Sequence, residues 1–270
     1  MTSPTFFDVT YVINPHMAGN IGTVDREEAQ REWISLRDAY ESLGFTVHAL
    51  EGAEGLVDMV FCANQTLPYY RPDSGVRGII SSRMHAPQRR GEVSHFERFF
   101  SERGYEVTPL PPSVADFEGM GDALWHPGRY LLWGGYGIRS SLEAYEAISG
   151  LLDVSVIPLL LEDEEFYHLD TCFCVLDERS VLLYPGALRP ADLDVIRRAF
   201  DRVIEAPEEE ARKKFACNAH CPDGRNVLIQ SGCVETNGML RAAGFAPLEL
   251  DTAEFIKAGG SVFCMKQMFW

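Results

Sequence analysis

Residues 25–50 read DREEAQREWISLRDAYESLGFTVHAL, and this stretch contains a structural unit that recurs along the chain. Asp25, with Glu28 three residues later, is typical of a capping box at the start of a helix. Apolar residues then repeat at helical spacing, at Ala29, Trp33, Leu36, Tyr40 and Leu43. Gly44 is a stop signal, and Phe45–Leu50 has the composition of a strand. The stretch therefore predicts a helix, a glycine stop and a strand.

The same order of elements returns further along the chain. Residues 96–110, 142–159 and 239–250 repeat the pattern, and residues 190–203 predict a helix with proline in its first turn. About five copies in 270 residues give a period of about 50, which is typical of a propeller or another repeat array. No low-complexity linker divides the chain, so we predict one α/β domain spanning residues 1–270. In a radial array, the segments between the copies would converge on one central site.

The composition is that of a globular protein, with 46% hydrophobic and 24% charged residues. A net charge of −16 argues against nucleic-acid binding, which needs a basic surface. The longest apolar run, Leu151–Leu161, is interrupted by polar residues and proline and is too short to span a bilayer. The N-terminus lacks the pattern of a secretory signal, and seven scattered cysteines favour reduced thiols. We therefore expect a cytoplasmic protein that binds neither nucleic acid nor membranes.

A histidine and a cysteine far apart in the sequence are the strongest chemical signal. Residues 166–174 read FYHLDTCFC, and this alternation predicts a strand with His168 and Asp170 on one face. Cys264 follows the pair Gly259–Gly260, which allows a close approach of the backbone to a ligand. A histidine, a carboxylate and a thiol are the parts of a cysteine-nucleophile hydrolase. Taken singly, Cys264 is more often a buried structural cysteine, and a lone strand histidine is usually a hydrogen-bonded core or surface residue.

Two carboxylates surround the glycines of residues 117–122, FEGMGD. A guanidinium group carries five donors in fixed directions and is best received by paired carboxylates. Glu118 and Asp170 could hold such a group, with Asp122 as a further acceptor. The alternative is a glycine-rich turn with solvated acidic residues.

Other candidate residues carry weaker signals. Residues 58–64, DMVFCAN, predict a strand that ends at Asn64, whose amide could face a ligand or belong to a plain turn. Arg83 and Arg139 could each bind an α-carboxylate through two hydrogen bonds, although single surface arginines are common. Residues 217–221, CNAHC, lack the second pair of ligands that a structural zinc site needs. We predict no metal and no cofactor.

Together these segments resemble the guanidino-group modifying superfamily, also called the amidinotransferase or pentein superfamily. The resemblance runs from residues 7–15, FDVTYVINP, to Cys264. It implies a five-bladed α/β propeller of repeated ββαβ units around a central active site. It also implies that Cys264 is the nucleophile, His168 the general acid and base, and Glu118 the carboxylate that binds the substrate's guanidinium group.

Five further positions relate the chain to branches of this superfamily. Asp170 lies where methylarginine hydrolases tend to carry a lysine, and Asn64 lies where deiminases and methylarginine hydrolases carry an aspartate. Together with Asn14, these residues resemble the arginine dihydrolases, which convert arginine to ornithine, ammonia and carbon dioxide. Arg83 and Arg139 match the arginines that grip the amino-acid end of the substrate.

The resemblance leaves alternatives open. An arginine deiminase or a dimethylarginine dimethylaminohydrolase would share the same core, and a non-catalytic propeller would use the fold for binding alone. The pair of Cys264 and His168 argues against the last. Two departures from the family pattern are residues 263–266, FCMK, around the nucleophile, and Cys62, where threonine is common. The expected partners are arginine or a substituted arginine and water, with a homo-oligomer left open.

Overall fold

The computed structural model describes all residues from Met1 to Trp270. The α-helices are α1 (Arg26–Ser42), α2 (Val93–Ser101), α3 (Gly119–Asp122), α4 (Leu142–Leu152), α5 (Pro190–Ala199), α6 (Glu208–Lys214), α7 (Val234–Ala242) and α8 (Ala253–Ile256). The strands are β1 (Thr66–Tyr70), β2 (Arg77–Ser81), β3 (Glu106–Thr108), β4 (Ala123–Trp125), β5 (Leu131–Tyr136), β6 (Ser155–Leu160), β7 (Phe173–Val175), β8 (Ser180–Leu183), β9 (Arg202–Glu205), β10 (Asn226–Gln230) and β11 (Ala246–Leu250). None of the helices is both long enough and apolar enough to cross a membrane.

Three sheets share one topology. In β1-β2-β3, β4-β5-β6 and β7-β8-β9, the first two strands are antiparallel and the last two are parallel. A helix connects the parallel strands in each sheet, namely α2, α4 and α5. The fourth sheet pairs β10 with β11 in parallel across α7. The chain is therefore an α/β protein with mixed sheets built from a recurring unit.

Two isolated bridges extend this pattern. His220 pairs antiparallel with Leu228 of β10, where the other sheets have their first strand. Thr2 pairs in parallel with Leu50, so that α1 connects two parallel segments as α2 does in its own sheet. Five helical connections of the same kind therefore occur along the chain.

The first helix begins at the residue that the sequence indicates. The Asp25 side chain accepts hydrogen bonds from the backbone N–H groups of Glu27 and Glu28. The return bond of a capping box is made by another residue, because Glu254 accepts from the Asp25 N–H group while Glu28 pairs with Arg31. Four of the five apolar residues predicted to face the core are buried, and Leu43 is half-buried.

Most of the predicted repeats are confirmed, with two adjustments. The helices and strands predicted over residues 96–110, 142–159 and 239–250 are present. The predicted strand Phe45–Leu50 is wrong, since Leu50 forms only an isolated bridge with Thr2 and no ladder forms. The helix predicted over residues 190–203 ends at Ala199, because Phe200 is extended and leads into β9.

Two further strand predictions are wrong, and both fall at the candidate site. Residues 57–60 form a 3-10 helix where a strand was predicted over residues 58–64. In residues 166–174, a 3-10 helix covers residues 169–171, and only the last residues of the segment enter β7. The alternation of polar and apolar residues in residues 166–174 has another cause, because the His168 and Asp170 side chains hydrogen-bond inside the molecule and are not placed by a pleat.

Candidate active site

The candidate residues come from four turns that converge inside the molecule. Asn64 lies between a 3-10 turn and β1, and Glu118 immediately precedes α3. His168 immediately precedes the 3-10 helix of residues 169–171, and Cys264 follows α8. All four side chains are almost completely buried, as is Asp170. The tertiary fold therefore gathers residues up to 200 positions apart into one interior cluster.

Glycines in α3 allow two of these turns to touch. Gly119 has a φ of +51°, and a Cβ there would lie 2.6 Å from the carbonyl oxygen of Thr66. A Cβ at Gly121 would lie 2.2 Å from Asn64 Nδ2 and 3.3 Å from the ring of His168. The FEGMGD segment is therefore packed against the other site residues and is not a flexible solvated turn.

Glu118 binds the histidine. Its Oε2 lies 2.7 Å from His168 Nε2 and 3.3 Å from Arg139 Nη1, while Oε1 accepts the His85 backbone N–H group at 3.0 Å. Burial opposes ionisation, but the hydrogen bond from His168 and the charge of Arg139 lower the pKa of Glu118 to about 2. Glu118 is therefore an anion that orients the imidazole and holds its Nε2 proton.

The other ring nitrogen of His168 faces Asn64. Asn64 Nδ2 lies 3.5 Å from His168 Nδ1, and Asn64 Oδ1 accepts a hydrogen bond of 3.0 Å from Arg89 Nη1. Since Arg89 can only donate, it fixes which end of the amide points at the histidine. Arg89 is in turn held by Glu92, with Nε and Nη2 both donating to that carboxylate.

The thiol of Cys264 is held by two groups. Its Sγ lies 3.2 Å from Asp170 Oδ2 and 3.2 Å from Asn218 Nδ2. Burial and the adjacent Asp170 carboxylate raise the pKa of the Cys264 thiol, so the sulfur is protonated at neutral pH. Burial also raises the pKa of Asp170, to about 7, against the opposing effect of the bond from Cys264.

Asn218 is a site residue that the sequence interpretation missed. Its Nδ2 also donates to the Asp170 carbonyl oxygen, and its Oδ1 accepts the backbone N–H groups of Ser261 and Cys264. One amide thus ties the nucleophile segment to the Asp170 turn. The only signal was its place in the CNAHC segment, which was considered as a zinc site and set aside. Arg89 and Glu92 were missed as well, although their spacing of three is typical of a paired helical turn.

The two candidate arginines lie in different places relative to the cluster. Arg139 donates to the carbonyl oxygen of Ile13 and lies over the Tyr167 ring, 4.8 Å from its centroid. Arg83 is not brought into the cavity, because its guanidinium group donates to the carbonyl oxygens of Leu110 and Val114. Arg83 therefore holds the loop that leads to Glu118 and has no donor directed at the cluster.

Asn14 and Asp122 occupy structural positions around the cluster. Asn14 accepts from the Met17 backbone N–H group and donates to the Ala258 carbonyl oxygen, which joins the two ends of the chain. Asp122 accepts from the Ser140 hydroxyl and from the Leu169 backbone N–H group, and burial raises its pKa to about 6. Asn14 lines the cavity described next, whereas Asp122 does not.

A cavity of about 450 Å³ leads from the surface toward this cluster. It shares Ile13, Asn14, Arg139 and Tyr167 with a smaller inner space whose wall includes Asn64, Arg89 and Cys264. Asp58 also lines the inner space, with Oδ1 buried and without a hydrogen-bond partner while Oδ2 accepts from the Tyr11 hydroxyl. The nucleophile candidate therefore borders an inner space of about 10 Å³ that adjoins the outer cavity, and the walls of the two carry both donors and carboxylate oxygens.

Sequence comparison shows that the chain is similar to known enzymes. The chain is 38% identical over 269 residues to the bifunctional arginine dihydrolase/ornithine cyclodeaminase ArgZ of Synechocystis, covering 98% of this chain and 36% of that protein. It is 36% identical over 264 residues to the N(G),N(G)-dimethylarginine dimethylaminohydrolase of Mycobacterium tuberculosis, covering 98% of this chain and 83% of that enzyme. The chain belongs to the guanidino-group modifying family.

Solved structures of the guanidino-group modifying family share the fold. The N-terminal domain of ArgZ, with its cysteine replaced by serine and substrate bound, gives a TM-score of 0.91 at 36% identity over 98% of this chain and 95% of that one. A dimethylarginine dimethylaminohydrolase gives a TM-score of 0.80 at 23% identity, which shows the fold alone. The chain spans about a third of the length of ArgZ and of the similar AgrE of Nostoc. No protein-family model matches the chain.

Proposed function

We propose that this protein hydrolyses C–N bonds in the guanidinium group of arginine, as an arginine dihydrolase that yields ornithine, ammonia and carbon dioxide. The observation that carries the proposal is the Cys264 thiol, which lines the inner space and lies 3.2 Å from the buried Asp170 carboxylate. A thiol beside a carboxylate offers a nucleophile and an acceptor for a planar cation at the same place. The family membership of the whole chain supports the same reaction class.

The first step binds the substrate. Asp170 Oδ1 is buried and has no partner in the structure, so that a guanidinium N–H group can donate to it. The positive charge of the substrate then offsets the Asp170 charge that disfavours ionisation of Cys264. The thiolate therefore forms when the cation is present, and its proton passes to His168, which delivers it in the next step. Glu118 acts on the guanidinium through His168, to which its Oε2 is bonded.

The chemical steps follow from these positions. The Cys264 thiolate attacks the guanidinium carbon, and His168 delivers a proton to the departing nitrogen, which leaves as ammonia. Water then adds to the amidino-thioether carbon and gives its proton to His168, and the C–S bond breaks to release the ureido product and the thiolate. A second round on the ureido carbon releases the second ammonia and carbon dioxide. In total, arginine and two waters give ornithine, two ammonia and carbon dioxide.

Arg139 and Asn14 form the wall nearer the surface, and we propose that they meet the amino-acid end of the substrate. Arg139 is the arginine that the cavity contains, and its guanidinium lies between Glu118 and the Ile13 carbonyl oxygen. Asn64 would contact the ureido intermediate, since it lines the inner space together with Cys264.

A second candidate is the hydrolysis of dimethylarginine. The Mycobacterium tuberculosis relative supports it, because that enzyme matches this chain over most of its own length. Asp170 and Asn64 favour unmethylated arginine, by the resemblance described above. Both reactions use the same nucleophile and histidine.

Incubation of the protein with isotope-labelled arginine tests the proposal, with Cys264→Ala as the control. Ornithine and two ammonia per arginine are expected from the wild-type chain, and none from the variant. Citrulline with one ammonia would instead identify a deiminase. Turnover of dimethylarginine alone would establish the second candidate, and turnover of neither would favour a non-catalytic binding module.

We also propose a five-bladed arrangement of the whole chain, residues 1–270, as a single domain. Four sheets provide four blades, and the Thr2–Leu50 bridge across α1 supports the fifth. This arrangement accounts for the convergence of turns from different sheets on Cys264.

A further inference from the structure

Asn218 contacts the sulfur of the nucleophile candidate. Its side chain is completely buried, and its Nδ2 lies 3.2 Å from Cys264 Sγ. The other polar group on this sulfur is the Asp170 carboxylate, whose Oδ2 also lies 3.2 Å away. An amide N–H group can only donate, whereas an ionised carboxylate can only accept. The structure therefore places one donor and one acceptor on the sulfur that reacts.

The direction of the Asn218 amide is fixed by the backbone around it. Its Oδ1 accepts the backbone N–H groups of Ser261 and Cys264, at 3.0 and 3.4 Å. Because a backbone N–H group can only donate, the amide oxygen must face these two groups. Nδ2 must then face Cys264 Sγ and the Asp170 carbonyl oxygen, which is 3.0 Å away. Each hydrogen of the amide thus has one acceptor, and one of the two acceptors is the sulfur.

The backbone of Asn218 is held in the same place. Its N–H group donates to the Phe215 carbonyl oxygen at 2.8 Å, and its carbonyl oxygen accepts the Phe263 N–H group at 3.0 Å. A donor that is held on all sides needs little reorganisation when negative charge develops in front of it. The hydrogen bond to the sulfur is therefore in place before the reaction begins.

The thiol and the thiolate of Cys264 use the two contacts differently. In the thiol, the S–H group donates to Asp170 Oδ2 while the sulfur accepts from Asn218. In the thiolate, the S–H group is gone, and the contact with Asp170 becomes one between two anions. The contact with Asn218 remains and strengthens, since a hydrogen bond to a charged acceptor is about twice as strong as a neutral one. The amide therefore favours the reactive form of the cysteine.

The other charged or titratable groups around Cys264 are Asp58, Arg89, Arg139 and Tyr167, which share the inner space, His168, which precedes Asp170, and Lys266. None of them forms a hydrogen bond with the sulfur. The two arginines are each paired with a glutamate, and the Tyr167 hydroxyl donates to the Gly259 carbonyl oxygen. Lys266 has no hydrogen-bond partner, and burial lowers its pKa to about 7. Asn218 is thus the one side chain that donates a hydrogen bond to this sulfur.

We infer that Asn218 is a catalytic residue, which donates the hydrogen bond that stabilises the Cys264 thiolate. It supplies this bond when the nucleophile forms, and again when the C–S bond breaks and the thiolate is released. The inference rests on the proposed function for its effect on turnover. The ionisation of Cys264 can be measured without substrate, so that the two can be tested separately.

Alkylation by iodoacetamide measures the thiolate, because the thiolate and not the thiol is the nucleophile. The variant Asn218→Leu has nearly the same shape as the wild-type residue but no donor. Its rate of Cys264 alkylation between pH 7 and 9 is expected to fall about threefold or more. A rise of one pKa unit leaves tenfold less thiolate, and the greater nucleophilicity of that thiolate offsets part of the loss.

The protein contains its own controls for this experiment. Mass spectrometry follows Cys264 and the six other buried cysteines separately, and faster alkylation of those six would reveal a loosened fold. Asn237→Leu in α7 is the matched control, since Asn237 is also buried but its amide has no hydrogen-bond partner. This variant is expected to leave the alkylation of Cys264 unchanged. An equal or faster rate at Cys264 in Asn218→Leu, with the other six unchanged, would overturn the inference.

A second variant covers the case in which Asn218→Leu does not fold. Asn218→Asp keeps the oxygen that accepts from Ser261 and Cys264 and replaces Nδ2 by an oxygen. Its carboxylate would repel the thiolate, so that alkylation of Cys264 at pH 9 should be slower than in the wild-type chain. The wild-type rate in Asn218→Asp would overturn the inference.

The pH dependence of arginine turnover distinguishes a catalytic from a packing role. Since loss of the donor raises the pKa of Cys264, the acid limb of the kcat/KM profile of Asn218→Leu should move to higher pH. The loss of activity should therefore shrink as the pH rises, and a loss of equal size at every pH would contradict the inference. No turnover by the wild-type chain would remove the proposed function, and the alkylation rates would still decide whether Asn218 stabilises the thiolate.

Discussion

The orientation of the Asn64 side-chain amide is set by its neighbours. Arg89 donates to its oxygen, so its nitrogen points at His168. The resemblance to arginine dihydrolases rests in part on an asparagine at this position. An amide can donate to the oxygen of a ureido group, whereas a carboxylate can only accept. Retention of the ureido intermediate for a second hydrolysis is therefore expected to depend on this residue.

The substitution Asn64→Asp is expected to shift the product of arginine turnover from ornithine toward citrulline. The new carboxylate would pair with Arg89 and lose the donor that holds the intermediate, so the ureido compound should escape after one round. Quantification of both amino acids by chromatography measures the shift. An unchanged product ratio would remove Asn64 from the second hydrolysis.

Arg89 is expected to contribute strongly to stability. It is buried together with Glu92 and donates to the Asp58 and Phe61 carbonyl oxygens. Arg89→Met should lower the free energy of unfolding by about 3–5 kcal/mol, because the buried Glu92 loses its counter-charge. The matched control is Arg179→Met, whose exposed ion pair with Asp201 should matter by less than about 1 kcal/mol. Urea unfolding of both variants compares them, and equal losses would refute the expectation.

Among the secondary-structure elements, α3 is short but determines the packing at the site. Its Gly121 lies directly against Asn64 and His168, and its Gly119 lies against the backbone of residues 63–66. The element can approach these turns only because it lacks side chains at those positions. In the sequence, a glycine-rich turn with solvated acidic residues was the alternative interpretation of these residues.

The substitution Gly121→Ala is expected to reduce turnover by at least tenfold while the fold is kept. The added Cβ would lie 2.2 Å from Asn64 Nδ2 and must push this amide away from the histidine. Gly150→Ala in α4 is the control, since nothing lies within 4 Å of a Cβ there and helix propensity should raise stability by up to about 1 kcal/mol. Steady-state kinetics measures the turnover of both variants, and full activity in Gly121→Ala would contradict the packing argument.

For the whole molecule, charge is the dominant feature. The chain has 40 acidic and 24 basic residues. The excess negative charges repel one another in the folded state. Moderate salt should therefore raise the free energy of unfolding, since the Debye length falls from about 30 Å at 0.01 M to about 8 Å at 0.15 M. Urea unfolding at these two concentrations of sodium chloride tests this. A lower stability in salt would mean that attractive surface pairs outweigh the net repulsion.

Local patterns in the sequence were sufficient for several elements. The Asp25 cap and the apolar spacing of α1 are properties of neighbouring residues, and the recurrence of helix and strand is visible without contacts. These patterns predicted α1, α2, α4 and α7 and the α/β class. The turn at residues 169–171 was predicted as part of a strand because an alternation of polar and apolar residues arises both from a pleat and from buried hydrogen bonds. The apolar run of residues 59–63 was also predicted as a strand, although its first residues belong to a 3-10 helix.

The sequence by itself determined the candidate nucleophile, the histidine and the repeated unit, because these depend on residue type and on spacing within one segment. Only the tertiary structure decided that Arg89 orients Asn64, that Asn218 ties Cys264 to Asp170, and that Arg83 serves a loop. The physical reason is that a hydrogen bond or an ion pair depends on a distance of about 3 Å, which is set by the packing of segments far apart in the chain.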